Sequence, residues 1–131
     1  MAEIFRFYPE GKTLFIEVLG NEYLKRQPVN PEEAQKFAEG LKPIVAQVED
    51  LVRAQQMRGV LILNLKGVGL ASLNAQTTSQ LVSLLYTIRS DDEAFLERVE
   101  IQNSNPLFEM FYGQVKRNLP PKLVSLITFV D

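Results

Sequence analysis

The sequence predicts an α/β protein with a single mixed five-stranded sheet, an antiparallel N-terminal edge hairpin and covering helices, in the order β-β-α-β-α-β-α-β. Residues 60–65 (VLILNL) form an almost continuous apolar run, which is typical of a central strand covered on both faces. Two short apolar stretches near the N-terminus flank Pro-Glu-Gly-Lys, a turn-forming sequence. The later strand-like stretches alternate with helical patterns, which favours parallel strands joined by right-handed crossovers.

The first two strands are predicted at residues 3–8 and 13–19, with a turn at 9–12. Within the first, Arg6 and Tyr8 alternate with Phe5 and Phe7, as in a half-buried strand. Residues 20–29 are polar and are predicted to be irregular.

A helix is predicted to begin after residue 30. Asn30 is a suitable cap, Pro31 suits the first helical position, and apolar residues recur at helical spacing as far as Val52. Pro43 lies inside this pattern and lacks an amide hydrogen, so we expect a kink or break near Leu41.

The second half of the chain is predicted to contain two more helices and two more strands. In the last helix, Asn105 is the expected cap, Pro106 the first residue, and Phe108 one of the side chains packed on the sheet. The other side chains expected to pack there are Leu107, Phe111 and Val115. The predicted elements are a helix at 74–88 (buried stripe Leu81, Leu84, Leu85 and Ile88), a strand at 98–102, a helix at 106–118 and a strand at 123–130.

Composition predicts one domain over residues 1–131 and argues against most catalytic chemistry. The 46% hydrophobic and 23% charged residues are typical of a soluble globular protein, and a net charge of −2 gives no general attraction to nucleic acid. The chain has no histidine and no cysteine, which excludes Ser–His and Cys–His catalysis and zinc–thiolate sites. We therefore expect a protein that is not an enzyme and has no cofactor or metal.

The N-terminal residues and the apolar segments bear on location. The first residues lack the pattern of a signal peptide, and no segment approaches the roughly 20 apolar residues that span a bilayer. We expect a cytoplasmic protein without an integral membrane segment.

The polar turn after the central strand is the first candidate site. It opens a helix, and open α/β sheets tend to place binding sites at such positions. Capping by Ser72 or Asn74 is the simpler interpretation. The functional interpretation is phosphorylation or anion binding, because a phosphate is favoured at a helix N-terminus. The hydroxyl residues concerned are Ser72, Thr77, Thr78 and Ser79.

Two stretches of the chain resemble the CRAL-TRIO lipid-binding domain. Residues 59–68 (GVLILNLKGV) are similar to a family strand that ends in Asp-Leu-Lys-Gly-like residues. Residues 99–108 (VEIQNSNPLF) are similar to its strand before an Asn-Ala-Pro-x-x-Phe-like turn, and residues 11–16 (GKTLFI) to its opening hairpin. The resemblance implies a sheet with covering helices and a lipid or other apolar ligand.

The compact length and the order of elements also resemble a STAS domain, which shares the SpoIIAA-like topology. In that family the turn after the central strand carries an Asp-Ser-Ser-Gly phosphorylation motif. Residues 71–74 (ASLN) occupy the comparable place, and Ser72 matches one serine. This resemblance implies a regulatory protein that binds a protein partner.

Two functional hypotheses follow. The first is a non-enzymatic regulatory or protein-interaction module, with a protein partner and compatible with a homodimer. The alternative is a small protein that binds lipid or another apolar ligand between the sheet and the helices, although ordinary core packing also explains the side chains involved. The candidate lining residues are Met57, Phe95, Met110, Phe111 and Tyr112.

Overall fold

The computed structural model describes residues 5–25, 32, 39–40, 43, 46–47, 49–51, 53–88 and 96–130. These residues form one mixed five-stranded sheet with the strand order β1-β2-β3-β4-β5. β1 pairs antiparallel with β2, and the other neighbouring strands are parallel, as the sequence predicts. The strands are β1 (Phe5–Glu10), β2 (Thr13–Leu19), β3 (Arg58–Asn64), β4 (Leu96–Gln102) and β5 (Ile127–Val130).

Helices occupy the connections between the parallel strands. The described residues between positions 32 and 54 are helical, in agreement with the helix predicted after Asn30, whereas Leu41, where a break was expected, lies outside the described residues. The remaining helices are α1 (Gly20–Lys25), α2 (Ala75–Ile88), α3 (Pro106–Val115) and α4 (Pro121–Leu126), with 3-10 turns at Leu70–Ser72 and Lys116–Asn118.

One face of the sheet carries the hydrophobic core. The strand registers align Ile16, Leu61 and Val99 side by side, and all three are buried. Helices α2, α3 and α4 bring their own buried side chains to this cluster, so these helices lie on this face. Each large side chain buried here stabilises the fold by about 1.5–3 kcal/mol. The cluster comprises Leu14, Ile16, Val18, Tyr23, Leu61, Leu63, Leu65, Leu73, Leu81, Val82, Leu96, Val99, Ile101, Phe108, Tyr112 and Leu123.

The opposite face of the sheet, which we call the outer face, combines apolar and charged side chains. Val60 and Ile62 point to it from β3 and are 0% and 2% exposed, so the central strand is covered on both faces, as predicted. Both residues lie outside the core cluster, because side chains alternate between the faces of a strand. The outer face comprises Arg6, Tyr8, Phe15, Glu17, Val60, Ile62, Arg98 and Glu100.

Residues 20–29 were expected to be irregular, and this was wrong for Gly20–Lys25, which forms α1. Tyr23 is buried at 5% exposure in the core cluster, so tertiary packing overrides the weak helix propensity of Gly20 and Asn21. Gly20 also lies close to β3, since a Cβ at this position would be 3.1 Å from the carbonyl oxygen of Asn64. Residues 26–29 lie outside the described part of the chain.

The strand predicted at residues 123–130 was too long. Its first half belongs to α4, which begins at Pro121 and buries Leu123 completely in the core. Proline at the first helical position favours a helix start, and the amide of Val124 donates to the carbonyl oxygen of Pro120. β5 therefore begins only at Ile127.

The first strand extends further than predicted. β1 continues through Pro9 and Glu10, and the turn contracts to Gly11 and Lys12. Gly11 has a φ of +62°, a conformation that glycine adopts without strain. Proline is tolerated in β1 because this strand lies at an edge of the sheet.

Candidate functional site

The carboxyl ends of the parallel strands meet around Asn64, the last residue of β3. Its side-chain amide donates to the Glu17 carboxylate over 2.9 Å, and its side-chain oxygen accepts from the Asn103 amide over 2.8 Å. The same oxygen accepts from the backbone N–H of Lys66 at 3.0 Å. Through these hydrogen bonds Asn64 connects β2, the loop after β3 and the loop after β4.

The two loops at this edge contain left-handed backbone positions. Gly67 has a φ of +84° and Asn103 a φ of +56°. A Cβ at Gly67 would lie 2.9 Å from the side-chain nitrogen of Asn21, so the loop after β3 approaches α1 closely. Sequence reasoning did not select Asn103 or Asn21. Asparagine is enriched in left-handed conformations, and this preference was the available signal at Asn103.

The turn before α2 is organised by a reciprocal cap. The amide of Thr77 donates to the Asn74 side chain at 2.8 Å, and the amide of Asn74 donates to the Thr77 hydroxyl at 2.9 Å. Of the two caps that the simpler interpretation named, Ser72 and Asn74, the structure has Asn74 in this role. Since the Thr77 hydroxyl accepts one bond of this cap, a phosphate on Thr77 would disrupt it.

The other three hydroxyl candidates lie in different environments. Thr78 is fully buried, with a hydroxyl that has no hydrogen-bond partner among the described residues, and Ser79 is half-buried. Ser72 ends the 3-10 turn that begins at Leu70. Leu70, the first residue of this turn, is 63% exposed.

The candidate lining residues do not share one surface. Tyr112 is buried among the rings of Phe108 and Phe129, whereas Met110, on the same helix, is 52% exposed. Phe111 is half-buried, and Met57 packs against the core just before β3. Phe95 lies outside the described residues. The space between the sheet and α2–α4 is occupied by the core cluster of the protein itself.

The outer face presents an aromatic pair beside charged groups. Tyr8 and Phe15 stack with ring centroids 5.3 Å apart, and Tyr8 is 39% exposed. Loss of hydration raises the pKa of Tyr8 above its usual 10.0, and Glu17, Glu100 and Glu10 raise it further, whereas Arg6 opposes them.

Two arginines lie on this face. The guanidinium of Arg6 is 3.9 Å from Glu17 and its side chain is 59% exposed. Arg98 forms closer ion pairs, with Glu100 at 2.7 Å and with Glu97. Arg6 is therefore the cation of this face that is better placed to meet a ligand.

Within the described ranges of the chain, no group of three or more carboxylates is arranged to hold a metal ion. Likewise, no helix within these ranges has both the length and the apolar character needed to cross a bilayer.

Comparisons with known proteins bear on the fold. No family model matches the chain, and no curated protein matches it. Among solved structures it is similar to Sfh5, a member of the Sec14/CRAL-TRIO family, with a TM-score of 0.57 and 8% sequence identity. The match covers 96% of this chain and 46% of Sfh5, so the chain spans less than half the length of that protein. This likeness supports a CRAL-TRIO-like fold and gives no support to the STAS or SpoIIAA assignment.

Proposed function

We propose that this protein is a non-enzymatic binding module of the CRAL-TRIO-like fold and that it binds an anionic amphipathic lipid on the outer face of the sheet. The observation that carries the proposal is the arrangement of that face. Tyr8, 39% exposed, stacks on Phe15, and the 59% exposed side chain of Arg6 lies on the same face of the same strand.

This arrangement suits a molecule with an apolar chain and a negatively charged head. The exposed part of the aromatic pair offers apolar contact area, and aromatic rings supply much of the contact energy at binding surfaces. The guanidinium of Arg6 presents several donors that match a phosphate or a carboxylate. The core side of the sheet is less suitable because the protein fills it with its own side chains.

Mass spectrometry and a pair of matched variants test the proposal. Native mass spectrometry of the purified protein should detect a bound lipid, and NBD-labelled phosphatidic acid should bind to the lipid-free protein. Tyr8→Ala should weaken this binding about tenfold, equivalent to about 1.4 kcal/mol. Phe7→Ala is the control, because Phe7 is an exposed ring of the same strand on the other face. Equal affinity of the two variants, or no binding to wild type, would contradict the proposal.

A charge variant tests the role of the lipid head. Arg6→Gln keeps the length and polarity of the side chain and removes its charge. It should reduce the preference for phosphatidic acid over phosphatidylcholine and leave the protein folded, because Arg6 is exposed. An unchanged preference would remove Arg6 from the binding surface.

A regulatory protein-interaction module is the second candidate function, and the exposed 3-10 turn favours it. This turn runs from Leu70 to Ser72, just before α2, and Leu70 is exposed to solvent. A partner that recognises this turn would bind less tightly to Leu70→Ser and would respond to Ser72→Glu. Cross-linking mass spectrometry with an isolated partner would test it, and a complex that is insensitive to both changes would refute it.

A further inference from the structure

Strand β1 is an edge of the described sheet, and it is open to solvent. β2 pairs with one side of it, and residues 6–10 are all exposed. Two large rings are exposed on opposite faces of this strand, Phe7 at 45% and Tyr8 at 39%. An exposed edge with apolar side chains on both faces is a template for pairing with another strand.

The hairpin turn determines which backbone groups of β1 point outward. Glu10 pairs with Thr13 across the two-residue turn, and in such hairpins this pair and every second pair exchange hydrogen bonds. The N–H and C=O groups of Phe5 and Phe7 therefore point away from β2. The nitrogen of Pro9 points outward as well, but it has no hydrogen to donate.

We propose that β1 pairs antiparallel with β1 of a second copy of this chain, with Phe7 opposite Phe7 of that copy. In this register the two Phe7 residues exchange both of their main-chain hydrogen bonds. Each Phe5 N–H donates to the carbonyl oxygen of Pro9 in the other copy, whereas the Phe5 carbonyl oxygen faces the proline nitrogen and receives no hydrogen bond, so this register makes four main-chain hydrogen bonds. Arg6 lies opposite Tyr8 of the second copy, which forms a cation–π pair twice across the two-fold axis.

Neighbouring registers are less favourable. A shift of two residues in one direction places Arg6 opposite Arg6 of the other copy, where the like charges repel. A shift in the other direction places Arg6 opposite Glu10 but pairs Phe7 with Pro9 twice, which leaves two main-chain hydrogen bonds among residues 5–10 instead of four. The proposed register joins two five-stranded sheets into one continuous sheet with contiguous outer faces.

Single-cysteine variants test the register directly, because the chain has no cysteine of its own. Residues opposite each other in a hydrogen-bonded pair have Cα atoms about 5.5 Å apart, within the range that a disulfide spans. Phe7→Cys should therefore form a covalent dimer under mild oxidation. Met110→Cys, exposed on α3, is the control and should remain uncrosslinked at the same concentration.

Backbone variants test the pairing by a second route. Phe7→Pro removes the outward N–H of this position without removing a hydrogen bond to β2, whereas Phe7→Ala keeps the N–H. Sedimentation equilibrium should show wild type and Phe7→Ala approaching twice the 14.9 kDa mass of the chain as concentration rises, and Phe7→Pro remaining monomeric. Should Phe7→Pro fail to fold by circular dichroism, the cysteine experiment decides.

Either of two results would overturn the inference: a monomeric wild type at millimolar concentration, or equal cross-linking of Phe7→Cys and Met110→Cys. Lipid binding is tested separately, because Phe7→Pro removes the pairing and leaves Arg6 and Tyr8 of the outer face in place, so its affinity for NBD-labelled phosphatidic acid reports on the lipid site without the dimer.

Discussion

Replacing Asn64 by aspartate should destabilise the protein through Glu17. The amide of Asn64 donates to a Glu17 carboxylate that belongs to a residue only 7% exposed. Asn64→Asp removes this donor and places a second carboxylate beside the first. The CRAL-TRIO pattern has aspartate at this place, so the presence of Glu17 gives a physical reason why this chain has asparagine instead.

The expected loss can be estimated from the geometry. Two unit charges about 4 Å apart repel by about 4 kcal/mol at an effective dielectric constant of 20. The lost charge-assisted hydrogen bond contributes about 1.5–3 kcal/mol, but the two terms overlap because the side chains can move apart. We expect the free energy of unfolding to fall by about 3 kcal/mol at pH 7.

Urea unfolding at pH 7 measures this effect. The double variant Glu17→Gln/Asn64→Asp should recover most of the loss, since the glutamine amide can donate to the new carboxylate. A loss below about 1 kcal/mol, or no recovery in the double variant, would refute this account of the Asn64–Glu17 contact.

Three further predictions concern the helices and the buried tyrosines. Asn105→Ala should lower the free energy of unfolding by about 1 kcal/mol, because the Asn105 side chain accepts from the amide of Phe108, and Asn105→Asp should retain most of the stability in the same urea titration. Tyr112→Phe should leave stability unchanged or raise it by up to about 1 kcal/mol in thermal unfolding, since the buried Tyr112 hydroxyl has no hydrogen-bond partner in the part of the chain that the structure describes. A clear loss of stability would contradict this. Burial raises the pKa of Tyr23 above 10.0, so the folded state holds this proton longer than the unfolded state, and stability should fall as the pH rises above 10. Tyr23→Phe should flatten that alkaline decline, and an unchanged slope would assign it to other groups.

The sheet could be predicted because its signals are local and mutually consistent. The apolar run of the central strand, the N-terminal turn and the Asn105–Pro106 helix start each predict one element, and the structure contains all three. α1 could not be predicted, because burial of Tyr23 against the core stabilises it and burial depends on distant residues. The predicted boundary between α4 and β5 was wrong for a related reason. Leu123 can be buried in a helix or in a strand, and the packing decides which of the two forms.

The candidate site was predictable only in part. A cap in this turn follows from residue type and position, but the sequence left Ser72 and Asn74 as alternatives and the structure has Asn74. The contacts of Asn64 with Glu17 and Asn103 join residues 47 and 39 positions apart, and nothing in the local sequence indicates them. The set of residues on the outer face could not be predicted without the strand register, which places Tyr8 of β1 opposite Phe15 of β2.

The consecutive strand order has a consequence for folding during synthesis. Each strand pairs with the one made immediately before it, so the sheet can grow in a single direction as the chain leaves the ribosome. The hairpin of β1 and β2 closes through a two-residue turn and has the lowest loop entropy cost, so it is the natural nucleus. No later strand has to insert between two that are already paired, and this route avoids the rearrangements that slow folds with interleaved strands.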